Sequence, residues 1–120
     1  MLKVTQTNVR SAVQSLQEFK NSTGTLFSKW ETPLLYVVYS YGSHFPLFLC
    51  EHSGGAAPAA WAVNTDKYSV TTSKHFSQAH PQCETVGSNT KEMKAYILKS
   101  KRDYALKATE YISKANPNLL

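Results

Sequence analysis

The stretch Leu34-Leu35-Tyr36-Val37-Val38-Tyr39-Ser40-Tyr41-Gly42-Ser43-His44-Phe45-Pro46-Leu47-Phe48-Leu49-Cys50-Glu51 decides the fold class of this chain. Its first half is dense in β-branched and aromatic residues, Gly42-Ser43 is a two-residue turn signal, and the second half returns with the same character, the pattern of a β-hairpin. With Tyr41 facing His44, one face carries Leu35, Val37, Tyr39, Tyr41, His44, Pro46, Phe48 and Cys50; the other carries Leu34, Tyr36, Val38, Ser40, Phe45, Leu47 and Leu49. Both faces are largely apolar, so the hairpin must be covered on both sides or leave an aromatic strip for a partner. Pro46 cannot donate to a ladder, which marks a sheet edge or a bulge.

Working outward, Val9, Val13, Leu16 and Phe19 recur at helical steps between Asn8 and Lys20. Thr7 or Asn8 is placed to cap that helix, and Asn21-Ser22-Thr23-Gly24 to end it. Thr25 to Trp30 reads as a further strand. Beyond the hairpin, His52 to Ala60 is a Gly, Ala and Pro loop, Trp61 to Asn64 is a third strand, and Tyr68 marks a fourth. The last element is the clearest. Met93, Ile97, Tyr104, Ala108, Tyr111 and Ile112 keep helical spacing, and Asn89 with Glu92 three residues on forms an N-cap pair. The spacing predicts a helix from about Thr90 to Ala115. The whole reads as one α+β domain over residues 1–120: a small antiparallel sheet of three to five strands packed with an N-terminal helix and a long C-terminal helix.

Composition supports one core and excludes some classes. With 120 residues, 42% hydrophobic, two Trp, five Phe and seven Tyr, the chain has the bulk for one packed core, and disorder of the whole is not expected. The opening Met1-Leu2-Lys3-Val4-Thr5-Gln6 has no long apolar run behind it, so neither a secretory signal nor a membrane span is expected, and the reading is cytoplasmic. Two cysteines, Cys50 and Cys83, fit reduced thiols better than a disulfide framework. The formal charge of +5 attracts phosphate backbones and acidic protein surfaces alike. The last helix holds seven basic against three acidic side chains, so most of the excess lies there.

The densest polar stretch is Tyr68-Ser69-Val70-Thr71-Thr72-Ser73-Lys74-His75, continuing to Ser77, Gln78 and His80. Thr71 or Thr72 is placed to cap a short helix running toward Ala79, where backbone N–H groups, hydroxyls and Lys74 would form an anion site. The competing reading is plain structural capping, routine for such residues. This string, preceded by a Trp-containing strand and a Tyr-rich hairpin, resembles a small uncharacterised domain family of bacteriophage and plasmid genomes. The resemblance covers roughly residues 36–80 and implies a mobile-element origin; it assigns no activity and no functional residue.

Tyr39, Tyr41, His44 and Phe48 would make a stacking platform for unpaired bases, although core packing explains the same residues. Cys50, Glu51, His52, His75, His80 and Cys83 are enough ligands for zinc, but at no standard spacing, so no cofactor is expected. No nucleophile, base and oxyanion constellation, no paired carboxylates and no phosphate-cradling glycine loop occur; His44 or His75 with Lys74 and Asp66 is the only nuclease-like set. The sequence therefore points to a non-enzymatic accessory binding protein of a mobile element, directed against a host protein or nucleoprotein in an anti-defence, anti-CRISPR-like role. Direct DNA or RNA binding through a basic surface is the second expectation, and a small nuclease the third. The partner- or phosphate-binding residues are expected among Tyr68, Thr71, Thr72, Lys74, His75, Lys99, Lys101 and Arg102, with no membrane partner. The oligomeric state stays open, and a long helix of this kind can also pair with its own copy in a homodimer.

Overall fold

A computed structural model describes residues 8–42, 45–51, 61–66, 74–81 and 85–109 in full, and residues 2–4, 70–73 and 110–115 by their backbone. The chain is α+β. In order, the elements are β1 (Leu2–Val4), α1 (Val9–Gln14), β2 (Phe19–Asn21), β3 (Leu26–Thr32), β4 (Leu35–Ser40), β5 (Pro46–Glu51), β6 (Trp61–Asn64), α2 (Val70–Ala79), β7 (Thr85–Ser88) and α3 (Thr90–Ala115). The seven strands form one sheet in chain order. That is more strands than the three to five expected, and the sheet is mixed rather than antiparallel: β1–β2 and β6–β7 pair in parallel, and every other pair is antiparallel.

The parallel ends decide where the helices go. A parallel pair needs a crossover, and crossovers are right-handed. Counting reversals from β2 to β6, β1 and β6 run the same way, and both crossovers step in the same direction across the sheet. Both therefore cover the same face, and α1 and α2 pack against each other there. The Arg10 guanidinium ties them, donating to the carbonyls of Ser77 at 2.7 Å and His80 at 3.0 Å near the end of α2. α3 lies on the opposite face, over β3 and β5.

The core is accordingly double. Val9, Val13, Phe19, Leu26, Tyr36, Val38, Phe48, Cys50, Trp61 and Ala79 fill the space under α1 and α2. Leu35, Val37, Tyr39 and Leu49 meet Met93 and Ile97 under α3. Strand β4, buried along its whole length, feeds both. The hairpin faces differ from the sequence expectation by one step. Tyr39 pairs with Pro46 as that register requires, but Val38 pairs with Phe48, leaving Leu47 as a bulge. Because side chains alternate with period two, the extra residue moves Phe48 and Cys50 to the face of Tyr36 and Val38, and Leu49 to the face of Val37.

The first helix is also shorter than its periodicity predicts. It stops at Gln14 through a Schellman arrangement, in which Gln17 N–H donates to the Ala12 carbonyl and Leu16 N–H to that of Val13. Leu16 takes the left-handed conformation at φ 55°, a position that favours glycine. Tertiary bonds hold it there: Trp30 Nε1 donates to the Leu16 carbonyl, and Tyr36 Oη and Ser28 Oγ both donate to that of Gln17. Phe19, which continues the helical spacing in the sequence, instead opens β2. Thr71 and Thr72 lie inside the first turn of α2 rather than at its cap. The expected α3 is present with its expected capping box: Glu92 N–H donates to Asn89 Oδ1, and Asn89 N–H to Glu92 Oε1. Strand β7 was not foreseen, and the loop at 52–60, Tyr68, Ser43 and His44 lie outside the described residues.

Candidate functional site

The sheet separates the residues among which the sequence placed the partner or phosphate contacts. Lys74 is exposed and His75 buried on α2, on one face; Lys99, Lys101 and Arg102 are exposed on α3, on the other. Of Thr71 and Thr72 the backbone alone is described, and Tyr68 lies outside the described residues. Lys74 and the α3 cations therefore do not converge.

His75 is a packing residue that also titrates. Its Nδ1 lies 2.8 Å from Ser40 Oγ, which is fully buried, and its ring leans on Tyr41 at 5.5 Å between centroids. Tyr41 sits at φ 58°, a strained position for an aromatic residue, and its N–H donates to the Thr25 carbonyl at 2.7 Å. Gly42, at φ 101°, completes the reversal with a conformation that favours glycine. A buried serine offers no open approach to a substrate, so the Ser40–His75 pair closes the end of the hairpin over α2. Burial holds the His75 pKa below its ordinary 6.5. The unfolded chain then binds the proton more readily, so the contribution of the neutral ring is complete above about pH 6.5 and declines as pH falls below it. Urea midpoints measured at about pH 7.5 and about pH 5.5 should therefore differ more in the native protein than in His75→Gln. Equal differences in the two proteins would remove His75 as the titrating group.

The aromatic platform expected on the hairpin is core. Tyr39 and Phe48 are buried, Phe48 packing on Phe76 at 5.3 Å, and His44 is not described; of the three that are, Tyr41 alone is exposed, at 44%. Cys50 is fully buried, and among the described residues no three His, Cys, Asp or Glu side chains converge on a point. His52 and Cys83 of the zinc set lie outside the described residues. Among those described, no helix is long and apolar enough to cross a membrane.

Among the described residues, grooves lie on both sides of α3. One, of about 240 Å³, runs between the β3–β4 turn and the helix, lined by Leu34, Glu51, Tyr96, Lys99, Asp103 and Lys107 among others. Tyr96 Oη donates to Glu51 Oε2 at 2.7 Å; burial, followed by this bond to a carboxylate, pushes the phenol up to about 12. The other, of about 260 Å³, lies between β3 and α3 and is lined by Lys29, Glu31, Tyr39, Lys94, Ile97, Leu98 and Lys101. At its floor the Glu31 side chain is 5% exposed, receives Tyr39 Oη at 2.7 Å, and pairs with Lys29 at 3.0 Å and Lys101 at 3.4 Å. Burial raises the Glu31 pKa, but the bonds from Tyr39 and Lys29 and the charges of Lys29 and Lys101 outweigh it and leave the carboxyl below its usual range. Burial and the ionised Glu31 in turn push the Tyr39 phenol far up, so it stays a donor.

No family model, no curated protein and no solved structure matches this chain. The surface must therefore be read from its own chemistry. Of the residues singled out in the sequence, Lys101 lines the β3–α3 groove, Lys99 lines the groove across the helix, and Arg102 is exposed, at helical spacing between Leu98 and Leu106. Sequence reading missed Lys29, Glu31 and Lys94. The period-two series Phe27, Lys29, Glu31 on β3 and the seven-residue step from Lys94 to Lys101 were the available signals, but nothing in the sequence sets one against the other.

Proposed function

We propose that this protein is a non-enzymatic binding protein of mobile-element origin that uses α3 to block a host protein or nucleoprotein, in an anti-defence, anti-CRISPR-like role. The observation carrying this reading is the helix itself. α3 runs for 26 residues, about 39 Å at 1.5 Å per residue, yet among its described residues only Met93 and Ile97 are buried. From Leu98 to Thr109 the described side chains are exposed or half-exposed. Leu98, at 68%, and Leu106, at 60%, flank Arg102 on the outer face, and Ala105 and Thr109 share that face at helical spacing. Tyr104 continues the Met93–Ile97 face toward the end of the helix, 39% exposed.

Helices short of packing are marginal in water, so a long helix held by two buried anchors gains stability from a partner that covers the rest. Leucines on a cationic helix suit a groove with an apolar floor and an acidic rim, the helix-in-groove mode of protein recognition. The mobile-element resemblance supplies the host-directed part of the reading and the choice of defence machinery as target.

In bacterial cells carrying an active CRISPR effector, expression of the protein is expected to raise the plating efficiency of a targeted phage. The double variant Leu98→Asp, Leu106→Asp, made to the same level and with the same thermal unfolding, is expected to lose that effect. Unchanged plating with the native protein would overturn the CRISPR target, and full activity of the variant would remove α3 from the contact.

A further inference from the structure

We propose that the open lane of the sheet between β2–β3 and α3 is a binding site for single-stranded nucleic acid; it adjoins the outer face of α3 at Leu98, which lines the same groove, and does not depend on what that face contacts. α1 and α2 cover the first face of the sheet, and α3 covers β3 to β5 of the second. Among the described residues the second face over β2 thus carries no helix. What lines the resulting lane is cationic. Lys20 pairs in register with Phe27, and its stem approaches Gly24 in the β2–β3 turn. Lys29 follows two residues on from Phe27 on the same face, and Lys94 and Lys101 form the opposite wall from α3. All four lysines are exposed or half-exposed. The one carboxylate of the lane, Glu31, is buried at its floor and already holds Tyr39, Lys29 and Lys101.

Between these cations stands Phe27. It is half-buried and stacked on Tyr39, with centroids 5.3 Å apart and planes 22° from parallel. The buried Tyr39 ring, fixed by its hydroxyl on Glu31, steadies Phe27 from one side. A lane of lysines with a fixed, partly exposed aromatic ring is the chemistry of single-strand binding: the cations follow the phosphates and the ring takes a base. Charge complementarity selects a polyanion, and the ring selects one with exposed planar bases. A duplex hides its base faces in the stack, and an acidic peptide has none, so neither uses both features.

The test is fluorescence anisotropy of a labelled deoxythymidine oligomer of about 15 nucleotides, against a duplex of equal length and against poly-glutamate, from about 50 to about 200 mM salt. Single strand should bind tightest, with affinity falling as salt rises. Lys20→Gln with Lys94→Gln, which leaves the Glu31 ion pairs intact, should reduce the log–log salt slope by about 1.4, two phosphate contacts' worth. Phe27→Leu should weaken binding by about tenfold or more with little change in slope. Lys74→Gln, on the opposite face, should change neither, and matching circular dichroism and thermal unfolding show that each variant is folded. The proposal is overturned by the absence of single-strand binding at the lowest salt, by duplex or poly-glutamate binding as tight as the single strand, or by equal losses in Lys74→Gln and the lane variants.

Discussion

Tyr36→Ala is expected to lower the unfolding free energy by about 3–5 kcal/mol, the range for removing a large aromatic side chain from a packed core. Tyr36 has no exposed surface, and it meets Trp30 and Trp61 edge-on at 5.4 and 6.1 Å. Its hydroxyl donates to the Gln17 carbonyl at 2.7 Å and lies 2.9 Å from Ser28 Oγ. Ser28 Oγ in turn donates to the Gln17 carbonyl and accepts Phe19 N–H. This small network stops the first helix and starts β2, so one side chain links β4 to the crossover. Tyr36→Phe separates the two contributions. The ring stays, and the loss of the hydroxyl inside a buried network should cost about 1–3 kcal/mol. Burial pushes the Tyr36 phenol well above its ordinary range, so neither difference should vary with pH in the neutral region. Urea unfolding measures both, and Tyr36→Phe serves alone if the alanine variant does not fold. A phenylalanine variant as stable as the native protein would show that Ser28 holds the junction by itself.

Asn64→Ala should cost about 3 kcal/mol, since the bond to the buried Pro46 carbonyl is lost together with two part-buried ones, and a buried group left unmet costs about 1–3 kcal/mol. Asn64 is 4% exposed at the end of β6. Its Nδ2 donates to the Pro46 carbonyl at 2.7 Å and to Thr90 Oγ1 at 2.9 Å, and its Oδ1 accepts Asp66 N–H at 2.8 Å. One carboxamide thus joins the start of β5, the turn after β6 and the first residue of α3. Asp66 extends the joint: Thr90 N–H donates to its Oδ2 at 2.9 Å, and this bond holds the Asp66 pKa below its ordinary value. Asn64→Asp keeps the acceptor and loses the donor, placing a carboxyl against the Pro46 carbonyl, so it should be destabilised as well. Hydrogen exchange should localise the effect. Amides at Thr90, Glu92 and Met93 should exchange faster in Asn64→Ala, while those of β3 and β4 follow global stability. Uniform acceleration across the sheet would mean that Asn64 supports the core and not the root of α3.

The sequence was legible wherever local pattern and tertiary outcome agree. The hairpin of Leu35–Ser40 and Pro46–Glu51 announces itself through β-branched and aromatic residues around Gly42. The α3 capping box at Asn89 and Glu92 is a local arrangement that needs no distant partner, and it formed as spaced. Pro46, unable to donate, signalled a sheet edge or a bulge, and its strand is internal with a bulge next to it. These features, with the charge concentrated on the last helix and the α+β class, were determined by the sequence itself, because propensity, capping and turn chemistry act over a few neighbouring residues.

Three things were decided only in the folded chain. The Leu47 bulge reversed which face Phe48 and Cys50 occupy, because a single inserted residue inverts a period-two pattern and its position depends on the partner strand. The first helix ended at Gln14 although Leu16 and Phe19 keep helical spacing, because Ser28, Trp30 and Tyr36, distant in sequence, bind the carbonyls of Leu16 and Gln17. The candidate surface divided in two because parallel crossovers at both ends of the sheet carry α1 and α2 to one face and leave α3 to the other. Lys74 and Lys101 thereby part, and Lys29 and Glu31 from β3 come to stand beside Lys94 and Lys101. Charge and residue type are properties of the sequence, but a binding surface is a juxtaposition of residues far apart in the chain, and handedness and register, which set it, are properties of the packed sheet.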